Sequence, residues 1–237
     1  MKLSSEEKLM YQVMKAIYDS GIPMSFKGSM VLKACLMEAG FTEEIRHTVD
    51  IDANWNTADS PTADHMVDSL QQAIGKTGIS LNVRLYRMYG IGRSAGFELI
   101  EPSTGEILFT MDVDVNRPVM QVQMYEIDGV RFPGASPVQM IADKVSAIST
   151  DKVFRRIKDV VDLYYVSTVF AFNRNAILQA LENSGKTLGS FDGFLHKTEE
   201  LQHAYEKFRF AGDVDKIPFH EIYQAVASFI GGILPAE

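Results

Sequence analysis

The sequence predicts an α+β fold: a mixed β-sheet flanked by helices to about residue 134, then an all-helical region over 135–237. Three observations carry this. Apolar and polar residues alternate in short runs between 48 and 132, the period of a half-buried strand. Apolar residues at helical spacing surround the first of those runs. After Pro133-Gly134 the composition changes, and the remainder reads almost wholly as helix.

Taken in order, 5–19 is predicted to be a helix, because Leu9, Met10, Val13, Met14 and Ile17 share one face and Gly21 stops it. A short strand at 24–27 leads into Gly28-Ser29. A second helix follows, with Val31, Leu32, Cys35, Leu36 and Ala39 on one face and Gly40 at its end. Residues 48–55 read as a strand with Val49, Ile51 and Ala53 on one side and Asp50, Asp52 and Asn54 on the other. Ser60-Pro61 opens a third helix carrying Met66, Val67, Leu70 and Ile74. Ile79, Leu81, Val83 and Leu85 alternate as a strand, and the turn Pro102-Ser103-Thr104-Gly105 joins two more, the second over 107–116. Asp128-Gly129 marks a tight hairpin between 119–127 and 130–132. Ser136-Pro137 is an N-cap and first-turn signature, and helices are expected near 137–149, 151–172, 174–183, 192–209 and 218–232. The domain division expected is 1–134 as the α/β core and 135–237 as a helical region completing the active site.

Composition excludes several classes. No apolar run approaches the ~18 residues a membrane span needs, and the first twenty residues mix charge with helical-period apolar residues, unlike a signal peptide. Cys35 is alone, which rules out an intramolecular disulfide and a cysteine-based zinc site. A cytoplasmic setting with no membrane partner follows. A formal net charge of −8 opposes unspecific attraction to polyanions, so any such ligand must meet local Lys and Arg clusters.

The residues with chemical content are acidic. In a strand, Asp50 and Asp52 point the same way, roughly 6.5 to 7 Å apart. At ~5 Å two such charges repel by about 3 kcal/mol at an effective dielectric near 20. A divalent cation with oxygen ligands offsets that repulsion. Asp112 and Asp114 repeat the pattern in a strand whose other face is Ile107, Phe109, Met111, Val113 and Val115. Carboxylates on neighbouring strands are what metal-assisted phosphoryl transfer requires. Gly28-Ser29, between a strand and a helix, offers backbone N–H groups and a hydroxyl to a phosphate. Lys144 lies beside the apolar stripe Ile141, Val145 and Ile148. Arg155/Asp159 and Lys158/Asp162 are spaced as ordinary i,i+4 helix pairs. Trp55 reads as a packing residue rather than a base stacker, and His47 and His65 as surface or capping groups.

Together, FKGSMVLK, TVDID, MDVDVN, ADKVSAIS and RRIKDVVDLYYV resemble the AbiEii/AbiGii-type nucleotidyltransferase toxin family, within the polymerase-β-like nucleotidyltransferase superfamily, over residues 24–166. The resemblance implies a polymerase-β-like sheet and transfer of an NMP from an NTP with Mg²⁺ or Mn²⁺. The acceptor it implies is a tRNA 3′ end or a protein hydroxyl. It further implies the toxin half of a toxin–antitoxin or phage-defence system, with a cognate antitoxin as partner. Carried over, Gly28 and Ser29 grip phosphate, Asp50 and Asp52 bind metal, and Lys144 contacts the triphosphate. Asp159 and Asp162 match the last motif. The third metal carboxylate is Asp114 or Asp112, with Asp114 fitting better. Met30 stands where the family often has Thr, and Arg46-His47-Thr48 where it often has Arg-x-Ser. An RNA track would draw on Arg84, Arg87, Arg93, Lys152, Arg155, Arg156 and Lys158. Two other classes stay open: a catalytically silent module that binds a partner protein, and a sugar-nucleotide transferase, which the antiparallel-looking strands over 79–132 disfavour.

Overall fold

The computed structural model describes residues 1–57, 60–89, 94–115, 120–171, 173–210 and 216–233, with Tyr89 as backbone only. The chain divides into two compact units, Met1–Ala135 and Ser136–Glu237.

The first unit begins with α1 (Ser5–Asp19), set by a capping box: Glu7 N–H donates to Ser4 Oγ at 3.1 Å and Ser4 N–H donates to Glu7 Oε2 at 2.9 Å. Strand β1 (Met24–Lys27) runs into α2 (Gly28–Glu38). β2 (Asp50–Trp55) starts two residues later than its alternation predicts, because Val49 is 66% exposed and lies outside the strand. α3 (Ala63–Gly75) is capped by Thr62, whose hydroxyl accepts from His65 N–H at 3.2 Å, so the helix opens after Ser60-Pro61 rather than on it. β3 (Asn82–Tyr89), β4 (Ser94–Ile100), β5 (Ile107–Val115), β6 (Val122–Ile127) and β7 (Val130–Ala135) complete the unit. The β6–β7 hairpin turns through Asp128 and Gly129, both left-handed at φ 49° and 74°.

These strands form one sheet in the order β3-β4-β5-β2-β1-β7-β6. It is mixed: β2 runs parallel to β5 and antiparallel to β1, and β1 is parallel to β7. Phe26, Ile51, Ala53, Phe97, Leu99, Met111 and Val113 are fully buried and belong to one face. Helix α1 packs against β1, β5 and β7, α2 against β1, β2 and β6, and α3 against α1 and β3. Strand alternation therefore sends Asp50, Asp52, Asp112 and Asp114 to the opposite face.

The second unit holds α4 (Pro137–Ile148), α5 (Ile157–Val169), α6 (Arg174–Asn183), α7 (Asp192–His196), α8 (Thr198–Lys207) and α9 (Phe219–Ile233). Ser136 caps α4, its Oγ accepting from Gln139 N–H at 3.2 Å. The single helix expected over 151–172 is instead a 3-10 turn over Val153–Arg156 followed by α5. Neither start has a side-chain cap. The helix expected over 192–209 breaks at Lys197, whose φ of −116° and ψ of 45° are not helical. Ile222, Val226, Ile230 and Ile233 of α9 are buried at helical spacing, and the helix packs on α5. No helix among the described residues is long and apolar enough to cross a membrane.

Candidate active site

The β1–α2 turn is built around the absence of a side chain. Gly28 has φ +72°, and a Cβ there would sit 2.9 Å from Asp52 Cγ and 3.0 Å from its Cβ, closer still to Oδ2. The start of α2 and the carboxylate of β2 thus share one spot, which an alanine would fill. Lys27, at the N-cap position, makes no side-chain cap bond, and first-turn N–H groups of a helix carry partial positive charge. Ser29 is buried, its Oγ accepting from Arg46 Nη2 at 2.5 Å.

Asp50 and Asp52 are half-buried on one face of β2 while Ile51 between them is buried. Thr48 Oγ1 donates to Asp50 Oδ1 at 2.8 Å. The register aligns Lys27 of β1 with Asp52, Asp52 with Asp112 of β5, and Asn54 with Asp114. Both β5 carboxylates are held by cations. Arg87 Nη2 donates to both Asp112 oxygens at 3.0 and 2.9 Å. Lys27 Nζ donates to Asp114 Oδ2 at 2.6 Å and to Asn54 Oδ1 at 2.7 Å, and Ser94 Oγ donates to Asp114 Oδ1 at 2.5 Å. A pocket of ≈ 230 Å³ is lined by Lys27, Asp52, Ser94, Ala95, Asp112, Val113 and Asp114.

Among the described residues no group of three or more His, Cys, Asp or Glu is gathered tightly enough to hold a metal ion by itself. The donor chemistry at Asp50 and Asp52 nevertheless fits a hard cation. Mg²⁺ is typically held by one or two carboxylates with substrate phosphates supplying the rest, and here two carboxylates face the same way with Gly28 packed against one of them.

A buried pair steadies this corner from behind. Glu7 is wholly buried and accepts from Lys33 Nζ at 2.7 and 2.8 Å, from Ser4 N–H at 2.9 Å and from Thr48 N–H at 3.4 Å. The start of α1, the middle of α2 and the residue that holds Asp50 therefore meet on one carboxylate.

In the second unit, Lys144 is buried and donates to Asp162 Oδ2 at 2.7 Å and Asp159 Oδ1 at 3.3 Å. Asp159 Oδ2 lies 3.0 Å from Arg156 Nε as an ion pair without hydrogen-bond alignment. Asp159 and Asp162 thus turn inward onto Lys144, unlike the exposed i,i+4 pairs their spacing suggests. Of the basic residues suggested for an RNA track, Arg84 pairs with Glu98 and Arg87 with Asp112. Lys152, Arg155 and Arg156 are exposed, and Arg93 lies outside the described residues. Trp55 is buried against the core as expected.

Lys27, Ser94 and Tyr86 belong to the acidic face but were not singled out above. The alternation Met24, Phe26 against Ser25, Lys27 was a usable signal for Lys27. Tyr86 follows Arg84 onto that face at the ordinary two-residue spacing, whereas Arg87 joins it only through a backbone irregularity that no sequence period displays.

The family model described as "Nucleotidyl transferase AbiEii toxin, Type IV TA system" matches residues 12–232. Among solved structures, the chain resembles MenT4, a nucleotidyltransferase toxin from Mycobacterium tuberculosis H37Rv. The two share 14% identity over 94% of this chain and 91% of that one, with a TM-score of 0.54. An antigenic nucleotidyltransferase-like protein from Paracoccidioides brasiliensis matches over 85% of this chain and 93% of its own at 16% identity and a TM-score of 0.48. No curated protein matches the chain.

Proposed function

We propose that this chain, which belongs to the AbiEii nucleotidyltransferase toxin family, transfers a nucleoside monophosphate from an NTP to an acceptor hydroxyl with a divalent cation at Asp50 and Asp52. The observation that carries the reading is the meeting of Gly28 with Asp52, which leaves no room for a side chain between a helix start and a carboxylate strand. Triphosphate oxygens at the α2 N-terminus would meet its first-turn N–H groups and the helix dipole, with Ser29 and Arg46 beside them.

Mg²⁺ or Mn²⁺ bound there would neutralise phosphate charge and acidify the incoming hydroxyl. Asp112 is aligned with Asp52 but held by Arg87, and Asp114 is held by Lys27 and Ser94, so either supplies a third oxygen ligand only by exchanging its present partner. The acceptor oxygen bonds to the α-phosphorus, the bond to the β-phosphate bridging oxygen breaks, and pyrophosphate leaves. The hydroxyl proton passes to a carboxylate of the acidic face. Lys144, held by Asp159 and Asp162 within the second unit, keeps only the electrostatic role toward phosphate that the family pattern implies.

The family description supports growth inhibition relieved by an antitoxin, and the acceptor is a tRNA 3′ end or a protein hydroxyl. Purified protein is to be incubated with each α-labelled NTP in turn, with bacterial RNA and with bacterial protein, in Mg²⁺ or Mn²⁺. Label transfer by wild type, lost in Asp52→Asn, is expected. Transfer that persists in Asp52→Asn rejects the site. Absence of transfer, with growth inhibition unchanged by Asp50→Ala, supports a silent partner-binding module instead, a reading favoured by the cations already seated on Asp112 and Asp114.

A further inference from the structure

β3 carries a bulge. Leu85 pairs with Phe97 and Arg87 with Gly96, so Tyr86 is an extra residue between them. In regular strand, consecutive side chains leave on opposite faces. Here both reach the acidic face: Tyr86 Oη donates to Asp112 Oδ1 at 3.3 Å, beside the two bonds from Arg87. The neighbouring strand is bare at this point. A Cβ on Gly96 would lie 2.6 Å from Tyr86 Cε1, 2.7 Å from Cζ and 2.9 Å from Arg87 Cγ. Glycine thus lets the ring lie against the sheet, and the Arg87 guanidinium stands 4.7 Å from the ring centroid. Both side chains keep more than a third of their surface exposed: Tyr86 is 37% exposed and the Arg87 side chain 39%. Bulges beside active sites re-aim side chains, and a glycine inside a strand marks a close approach.

The row across the sheet orients this pair relative to the chemistry. Arg87 aligns with Gly96, Gly96 with Asp112, Asp112 with Asp52, and Asp52 with Lys27, the residue before Gly28. Asp52 therefore has the phosphate turn on one side and, three strand spacings or ~14 Å along the other, the Tyr86–Arg87 pair. Phosphoryl transfer places attacking and leaving oxygens in line on opposite sides of the phosphorus. If pyrophosphate leaves toward Gly28, the acceptor arrives over β5, β4 and β3.

We propose that Tyr86 and Arg87 form the platform on which the terminal bases of a single-stranded nucleic-acid acceptor stack. The proposal rests on the transferase reading above and selects a nucleic acid over a protein hydroxyl. An aromatic ring and a guanidinium plane are the two side-chain surfaces on which unpaired bases stack, and Arg adds charge toward the backbone. A protein hydroxyl has no use for such a surface.

The test measures anisotropy of a short 5′-labelled single-stranded oligoribonucleotide with wild type, Tyr86→Leu and Tyr86→Phe, alongside melting temperatures and the Michaelis constant for NTP. Leucine still covers Gly96 but has no π-face, and phenylalanine keeps the face without the hydroxyl. The expected result is a loss of affinity of about 5- to 150-fold in Tyr86→Leu, near wild-type binding in Tyr86→Phe, and an unchanged NTP constant. Wild type that does not bind the oligonucleotide, equal binding by Tyr86→Leu, or equal losses in both variants overturns the proposal. Transfer to protein alone, without RNA binding, overturns it while leaving the transferase reading intact. RNA binding sensitive to Tyr86→Leu in a protein that transfers nothing rejects the transferase reading instead.

Discussion

Replacing Gly28 with alanine tests the corner on which the proposed chemistry depends. Two effects add. The left-handed φ of +72° disfavours any residue with a Cβ, by ~1–2 kcal/mol. For a chain of this size that lowers the melting temperature by ~2–8 °C. The new methyl also lies 2.9 Å from Asp52 Cγ, so the carboxylate has to move. A displacement near 1 Å at a reacting centre is worth about 100-fold in rate, and a loss of that order in NTP transfer is expected. The steric part is separable by a double-mutant cycle. Asp52→Ala removes Cγ and both oxygens and leaves only the 3.0 Å approach to Cβ. In that background Gly28→Ala should retain the conformational cost and lose most of the clash, a coupling of about 0.5–3 kcal/mol by urea denaturation. A Gly28→Ala protein with wild-type transfer, or the same destabilisation with and without the Asp52 side chain, refutes the reasoning.

Three further outcomes are expected. Glu7→Ala leaves the Lys33 ammonium buried without its carboxylate and should destabilise by ~3–5 kcal/mol, whereas the double replacement Glu7→Leu/Lys33→Met should recover much of that loss but not the bonds Glu7 accepts from Ser4 and Thr48 N–H, both read by urea denaturation. Lys144→Met removes the ammonium shared by Asp162 and Asp159, whose side chains are 2% and 7% exposed, and should destabilise by ~3 kcal/mol. Adding Asp162→Asn to it should recover part of the loss. Burial pushes the Cys35 thiol up to about 12, so the folded protein keeps it protonated below that pH. Iodoacetamide at pH 9 should label urea-unfolded protein and leave the native chain unmodified, by mass spectrometry; rapid native labelling contradicts the buried placement.

What could be read in advance follows physical range. Local signals performed well: the period of Met10, Val13, Met14 and Ile17 marked α1, and Asp128-Gly129 marked its hairpin. The Asp50/Asp52 face was readable because two-residue periodicity is a property of one strand. Pairing was not. Nothing near Asp52 says that Asp112 lies beside it, since that register comes from burying two apolar faces far apart in the chain. Glu7 and Lys33 look like solvated helix charges, and only three-dimensional packing shows them paired in the core. Lys144, Asp159 and Asp162 were grouped by family pattern, but the spacing of Asp159 from Arg155 and of Asp162 from Lys158 pointed to surface pairs. The break at Lys197 lacks proline or glycine to announce it, and so did the irregularity at Tyr86.

The strand order bears on when this protein can act during its own synthesis. The Asp50/Asp52 segment has β1 already made when it leaves the ribosome, yet its other neighbour is β5, and β1 in turn waits for Phe26 to meet Gly134. A nascent chain that stops short of those later segments carries the acidic pair on an open sheet edge, without its flanking cation at Arg87 settled on Asp112. Translation that stops before β5 therefore leaves Asp50 and Asp52 without the strand that sets Asp112 beside them.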